Sequence, residues 1–171
     1  MNNPQKKIDP IIPIIIGVTL IILVVGVVWA MKSTASTTPP TIEANQSTSL
    51  NLSATSHDWG SLPIDGGDVT KVFEITNTGS SDLTLANFTT SCMCTTVKVT
   101  TKSESSPLFG MHDKSNWLGT IKPGESGQIT VVFDPDFHGP QGKGQITRII
   151  KFNTNDPTRQ EVELTLTGIV I

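Results

Sequence analysis

From residue 50 onward, apolar and polar side chains alternate in short runs separated by turn residues. Leu50-Asn51-Leu52 alternates, and residues 69–76 place Val69, Phe73 and Ile75 on one face. Leu83, Leu85 and Phe88 mark the next run, and residues 95–101 alternate at Val97 and Val99. Ile129, Val131 and Phe133 follow, then Ile146, Ile150 and Phe152, with Arg148 interrupting that set. Val162, Leu164 and Leu166 close the chain. A period of two is the signature of a strand with one face turned to a core. The runs are punctuated by Asn77-Thr78-Gly79-Ser80-Ser81, Lys122-Pro123-Gly124-Glu125 and Asn153-Thr154-Asn155-Asp156-Pro157, residue types that favour turns for steric and hydrogen-bonding reasons. No apolar run of helical period and useful length occurs after Met31. The pattern predicts an all-β domain, an immunoglobulin-like antiparallel β-sandwich of about seven strands, with a small barrel as the alternative. The Cys…Trp…Cys spacing of antibody domains is absent, so the core is not expected to depend on a disulfide between sheets.

The N-terminus has a different pattern. Residues 11–31 carry no charge. As a helix rising ~1.5 Å per residue they would span about 31 Å, close to the ~30 Å hydrocarbon core of a bilayer. Pro10 and Pro13 fall in the first turn, and Trp29 lies near the far end, where an aromatic ring favours the interface. Lys6 and Lys7 precede the run and Lys32 follows it, which by the positive-inside bias puts the N-terminus in the cytoplasm. The expected organisation is a cytoplasmic N-terminus at 1–10, a transmembrane anchor at 11–31, a Ser/Thr/Pro-rich linker at 32–49 and the immunoglobulin-like domain at 50–171. The domain would then stand outside the cytoplasm, on a single-pass protein of the cell membrane, with the membrane and envelope proteins as its partners. The run is too long for the ~7–15-residue apolar segment of a cleaved signal peptide.

Charge narrows the functional classes. From Ser33 onward there are nine Lys and Arg against fourteen Asp and Glu, a net charge of −5. Such a surface repels phosphate backbones, and nucleic acid is not an expected partner. Asp65, Asp68, Asp134 and Asp136 sit in short turn-like segments without the ligand-rich loop of an EF-hand.

Several short motifs follow one another along the domain: His57-Asp58-Trp59-Gly60-Ser61-Leu62, Phe73-Glu74-Ile75-Thr76-Asn77-Thr78-Gly79, Ser91-Cys92-Met93-Cys94-Thr95, Ile121-Lys122-Pro123-Gly124-Glu125, Val132-Phe133-Asp134-Pro135 and Thr154-Asn155-Asp156-Pro157. In order and spacing the chain resembles the domain of unknown function 1573 family, a bacterial immunoglobulin-like family related to Hydin-type domains, with a Ser-Cys-x-Cys-Thr signature. The resemblance covers residues 50–171. It implies a β-sandwich, usually exported, with no established enzyme activity. Met93 stands where that family often has Gly, and an insertion at 102–117 separates the cysteine segment from the Lys122-Pro123-Gly124 turn.

The candidate chemistry centres on Cys92 and Cys94, the two cysteines of the chain. In an extended strand, positions i and i+2 face the same way with Cα atoms ~6.5–7 Å apart, at the limit for a disulfide. That spacing favours a chelating pair of thiolates for a soft ion over a structural bridge. A site needs further ligands, and His112 in the insertion and His138 after a strand end supply them, with Met111 as an alternate. Two Cys and two His suit tetrahedral zinc, and a thioether in the set favours copper(I). A strained, reducible disulfide, and with it a thiol redox element, is the more distant alternative. A Ser91, His112 and Asp134 set lacks any sign of a nucleophile elbow or oxyanion hole, so no catalytic residues are expected. The sequence therefore points to a binding or structural module of the cell envelope, with a copper or zinc protein as the alternative.

Overall fold

The computed structural model describes residues 11–33 and 39–171, with the side chains at 13 and 28–33 excepted. The helix α1 (Ile11–Ser33) forms one unit and residues from Thr37 onward form the other.

The expectation of a membrane anchor fails here. Among the described residues no helix is long and apolar enough to cross a membrane. Within α1 the described side chains between residues 14 and 27 are exposed apart from half-buried Gly17. The single-pass localisation, and the placement of the domain outside the cytoplasm that followed from it, are withdrawn. Residues 1–10, with Lys6 and Lys7, lie outside the described residues, as do the side chains of Trp29 and Lys32.

The β-domain has nine strands: β1 (Leu50–Leu52), β2 (Ser56–Leu62), β3 (Val69–Asn77), β4 (Leu83–Thr90), β5 (Thr95–Thr100), β6 (Leu118–Ile121), β7 (Ser126–Phe133), β8 (Gly144–Thr154) and β9 (Glu161–Val170). They form two sheets, ordered β1-β3-β7-β5 and β2-β9-β8-β4-β6. Seven of the nine coincide with the alternating runs. The other two, β2 and β6, escaped the pattern because β2 buries only its last residue, Leu62, and β6 is four residues long.

The sandwich is also not wholly antiparallel, since β2 pairs parallel with β9. A parallel pair needs a long connection. β2 lies near the start of the domain and β9 at its end, so strands β3 to β8 make up that connection.

Inward residues of both sheets build the core. Phe73, Ile75, Ile129 and Val131 of one sheet and Leu83, Leu85, Ile150 and Leu164 of the other are fully enclosed. Each such side chain removed from water contributes roughly 1.5–3 kcal/mol. A second, smaller cluster at one end holds Leu62, Phe133, Ile146, Val170 and Cys94, with Trp59 and Cys92 packed against it.

The turn motifs are clamps. Asn77 Nδ2 donates to the carbonyls of Ser81 and Ile121, and its Oδ1 accepts from Gly79 N–H. Asn155 accepts from Thr84 N–H and donates to Asp82 O. The segment just before β1 is held in the same way: Asn45 N–H donates to Asn155 O, and Ser47 O accepts from the N–H groups of Ser80 and Ser81. The folded domain thus begins before Leu50, and the C-terminal part of the expected linker is bound to it. Gly79 is required at this clamp, because a Cβ there would lie 2.5 Å from Ser47 O and 2.6 Å from Ser49 N. Both are backbone atoms and cannot rotate away. Gly79→Ala is expected to cost about 1–3 kcal/mol, read as a lower urea midpoint at unchanged slope.

Candidate functional site: the Cys92–Cys94 turn

The segment between β4 and β5 is a turn, not extended strand. Thr95 N–H donates to Cys92 O at 3.2 Å, and Thr90 Oγ1 lies 2.9 Å from Cys92 O and 3.0 Å from Thr95 O. Ser91 is pinned to β8 through Ile149, whose N–H donates to Ser91 Oγ at 2.9 Å. The curvature draws the Cα atoms of Cys92 and Cys94 to 5.3 Å, and the two form a disulfide. The extended-strand spacing argued against such a bond; the turn removes that objection by shortening the gap into the ordinary disulfide range.

The two sulfurs have unlike surroundings. Cys94 is 3% exposed, and its Sγ accepts from Arg148 Nε at 3.0 Å and lies 3.6 Å from Thr95 Oγ1. Cys92 is half-buried at the rim, and its Sγ is 3.4 Å from His138 Nε2. Between them Met93 stands 57% exposed.

His138 arrives from the loop after β7, as the residue capping a short 3₁₀ turn (Gly139–Gly142). Asp136 N–H donates to Asp134 Oδ1, and Gly139 N–H donates to Asp136 O, so Asp134-Pro135-Asp136 is a turn. A Cβ on Gly142 would sit 3.0 Å from His138 Cβ.

Arg148 comes from β8, on the face shared with Ile146 and Ile150. Its guanidinium lies over the Phe133 ring at 5.2 Å, and Nη1 donates to Thr147 O. Burial pushes its pKa down, yet a guanidinium stays protonated in proteins. Arg148 was visible in the sequence only as a break in an alternating run. The usable signal was a charge standing at an inward position.

Cys92, Cys94 and His138 bring their ligand atoms within 4.8 Å of one another. His112 is not part of that group; it and Met111 are both exposed, in the segment that follows Gly110, whose carbonyl accepts from Thr90 N–H at 3.4 Å. Among the described residues this is the one group of three or more His, Cys, Asp or Glu with such convergence.

The disulfide closes a loop of three residues, and so short a loop restricts the unfolded chain little. Reduction is expected to lower stability by only about 1.6 kcal/mol on the chain-entropy relation, measured by urea unfolding with and without dithiothreitol.

Two β-sheets packed face to face with their inward residues enclosed between them define an immunoglobulin-like domain. The chain belongs to the HYDIN/CFA65/VesB-like, Ig-like domain family, which it matches over residues 48–169. Among curated proteins none matches it. Among solved structures it is similar to a protein of unknown function from Porphyromonas gingivalis W83, at 24% identity and a TM-score of 0.56, covering 77% of this chain and 50% of that one. The chain therefore spans half the length of that protein. It is also similar to a PapD-like domain of human CEP192, at 15% identity and a TM-score of 0.45, covering 81% and 96%. The secreted serine protease VesC from Vibrio cholerae matches at 13% identity and a TM-score of 0.44, covering 74% and 23%. These likenesses concern the fold alone.

Proposed function

We propose that this chain is a binding or structural module that meets a protein partner at the end of the sandwich carrying the Cys92-Met93-Cys94 turn. The observation that supports it is the pairing of exposed apolar side chains with that turn. Met93 is 57% exposed and Phe137, beside His138, is 45% exposed. Two large apolar side chains left in water beside a rigid, cross-linked turn are a feature of recognition surfaces. On this reading the Ser-Cys-x-Cys-Thr segment is the family signature that the resemblance to domain of unknown function 1573 implies.

The test compares proteins captured by the native chain with those captured by a Met93→Asp, Phe137→Asp double variant of unchanged melting temperature. A partner kept by the first and lost by the second supports the reading; the same set recovered by both ends it.

The 4.8 Å convergence of Cys92, Cys94 and His138 favours a second reading, a soft-metal site for copper(I) or zinc that opens once the disulfide is reduced. Arg148 works against it, because a fixed positive charge 3.0 Å from Cys94 Sγ repels a cation bound there. Titration of the reduced protein with zinc or copper(I) decides this reading. Stoichiometric binding lost in Cys92→Ser and His138→Ala supports it, and its absence removes it.

A further inference from the structure

We infer that the Cys92–Cys94 bond is a thiol–disulfide exchange centre with a built-in direction: a dithiol attacks Cys92, and Cys94 is the sulfur that leaves. This goes beyond the binding reading, which stands or falls on its own test.

Three observations carry the inference. The bond is a poor staple, since it closes only three residues and the strands on either side are held by their own ladders and core. The sulfurs are unequal in access: Cys92 lies at the rim, while Cys94 is 3% exposed, within the small core cluster. Finally, the buried sulfur is the one supplied with a cation. Arg148 occupies an inward position between Ile146 and Ile150, where an apolar residue would cost less to bury. Among the described residues no carboxylate forms an ion pair with it. Its Nε–H points instead at Cys94 Sγ, with Phe133 beneath the guanidinium. A thiolate expelled at Cys94 is met by that N–H, and a stabilised leaving thiolate speeds exchange.

A thiolate of the incoming dithiol attacks Cys92 Sγ, forming a sulfur–sulfur bond to Cys92 and breaking the Cys92–Cys94 bond. The released electron pair resides on Cys94 Sγ, where Arg148 holds it. The second thiol of the dithiol, as its thiolate, then attacks the sulfur of its own first thiol. That closes the dithiol's disulfide and expels Cys92 as a thiolate beside His138 Nε2. Two electrons pass from the dithiol to the protein, the dithiol's two thiol protons go to solvent as its thiolates form, and solvent returns two protons when Cys92 and Cys94 become thiols: the dithiol is oxidised and Cys92 and Cys94 are reduced. The reverse sequence oxidises the protein and reduces a disulfide of the same class.

The full chain is treated with dithiothreitol as the probe, quenched with iodoacetamide over time and mapped by peptide mass. Arg148→Met is expected to slow reduction about tenfold, in line with the dependence of exchange on the leaving thiol, and Arg148→Lys to recover part of the loss. A packing role for Arg148 would change melting temperature without this split between Met and Lys. Native protein needs no variant for the second arm. With glutathione limiting, the trapped mixed disulfide should sit on Cys92 and the free, alkylated thiol on Cys94. Equal reduction rates for native and Arg148→Met protein, or glutathione found on Cys94, would overturn the proposal.

Discussion

Replacing Phe109 by alanine is expected to destabilise the domain by about 3–5 kcal/mol, a fall in melting temperature of about 10 °C or more for a domain of this size. Phe109 lies in the segment that separates β5 from β6, where the family resemblance places an insertion. The structure places it differently. Val97 N–H donates to Phe109 O and Phe109 N–H donates to Val97 O, both at 2.8 Å. Ser106 N–H donates to Val99 O and Thr101 N–H to Glu104 O. The segment thereby folds back on β5 and supplies a partner for an edge that would otherwise present open backbone groups. The Phe109 ring is 2% exposed. It stacks on Phe88 at 5.4 Å, and Phe88 stacks on Phe152 at 4.6 Å. Trp117 closes the group from the far end of the same segment, 5.8 Å from Phe109. Truncation would open a cavity among the three remaining rings, Phe88, Phe152 and Trp117, which cannot collapse together without breaking the β5 bridge. Leu108, 58% exposed, is the internal control: Leu108→Ala should leave the urea midpoint nearly unchanged. A loss below ~1 kcal/mol in Phe109→Ala would show that the segment does not belong to the core.

The second large effect belongs to Asp156, a carboxylate 2% exposed in the β8–β9 turn. Its Oδ2 accepts from Leu50 N–H at 2.9 Å, and its Oδ1 accepts from Thr158 N–H at 2.8 Å and Thr158 Oγ1 at 2.7 Å. These bonds fasten β1 to the opposite end of the chain. Asp156→Ala removes both acceptor oxygens, and with them three hydrogen bonds, and strands Leu50 N–H in a buried position, for an expected loss of about 3 kcal/mol. Burial pushes the carboxyl pKa up, but the bonds from Leu50 and Thr158, with Arg159 nearby, outweigh it and hold the value below the ordinary carboxylate range. The sign follows from linkage. A folded-state pKa below the unfolded one gives stability that is fully present above the unfolded value, ~3.9, and is lost as pH falls through the lower folded value. The stability gap between native protein and Asp156→Asn should therefore be constant near neutrality and narrow below about pH 4. A gap independent of pH down to 2 would mean that the carboxylate is not the source of the stabilisation.

Both residues show how far local pattern carried. Phe109 sits among Ser, Pro and Gly with no alternation around it, so nothing nearby marks it as core. Asp156 stands in a stretch whose composition predicts a turn correctly, while its buried role depends on Leu50, 106 positions away. The cysteine turn is the same case. The i, i+2 spacing was read on an extended backbone, and one hydrogen bond, Thr95 N–H to Cys92 O, replaced that geometry and with it the conclusion about the disulfide. The apolar N-terminal run shows the converse error: composition gave the helix its apolar character, but a crossing requires length and apolarity together in the described helix, and these are not met.

The sequence by itself determined seven of the strands and their inward faces, because alternation is a local property enforced by the pleat. It also determined the turns, because Gly, Pro, Asn and Asp act through their own backbone. The tertiary structure alone decided the site. His138 lies 46 positions and Arg148 54 positions from the cysteines they touch. No local rule relates a cysteine turn after β4 to a loop after β7 or an inward position on β8. The sheet register and the stacking of the two sheets bring them together, and that same packing gives the two sulfurs unequal access and unequal charge.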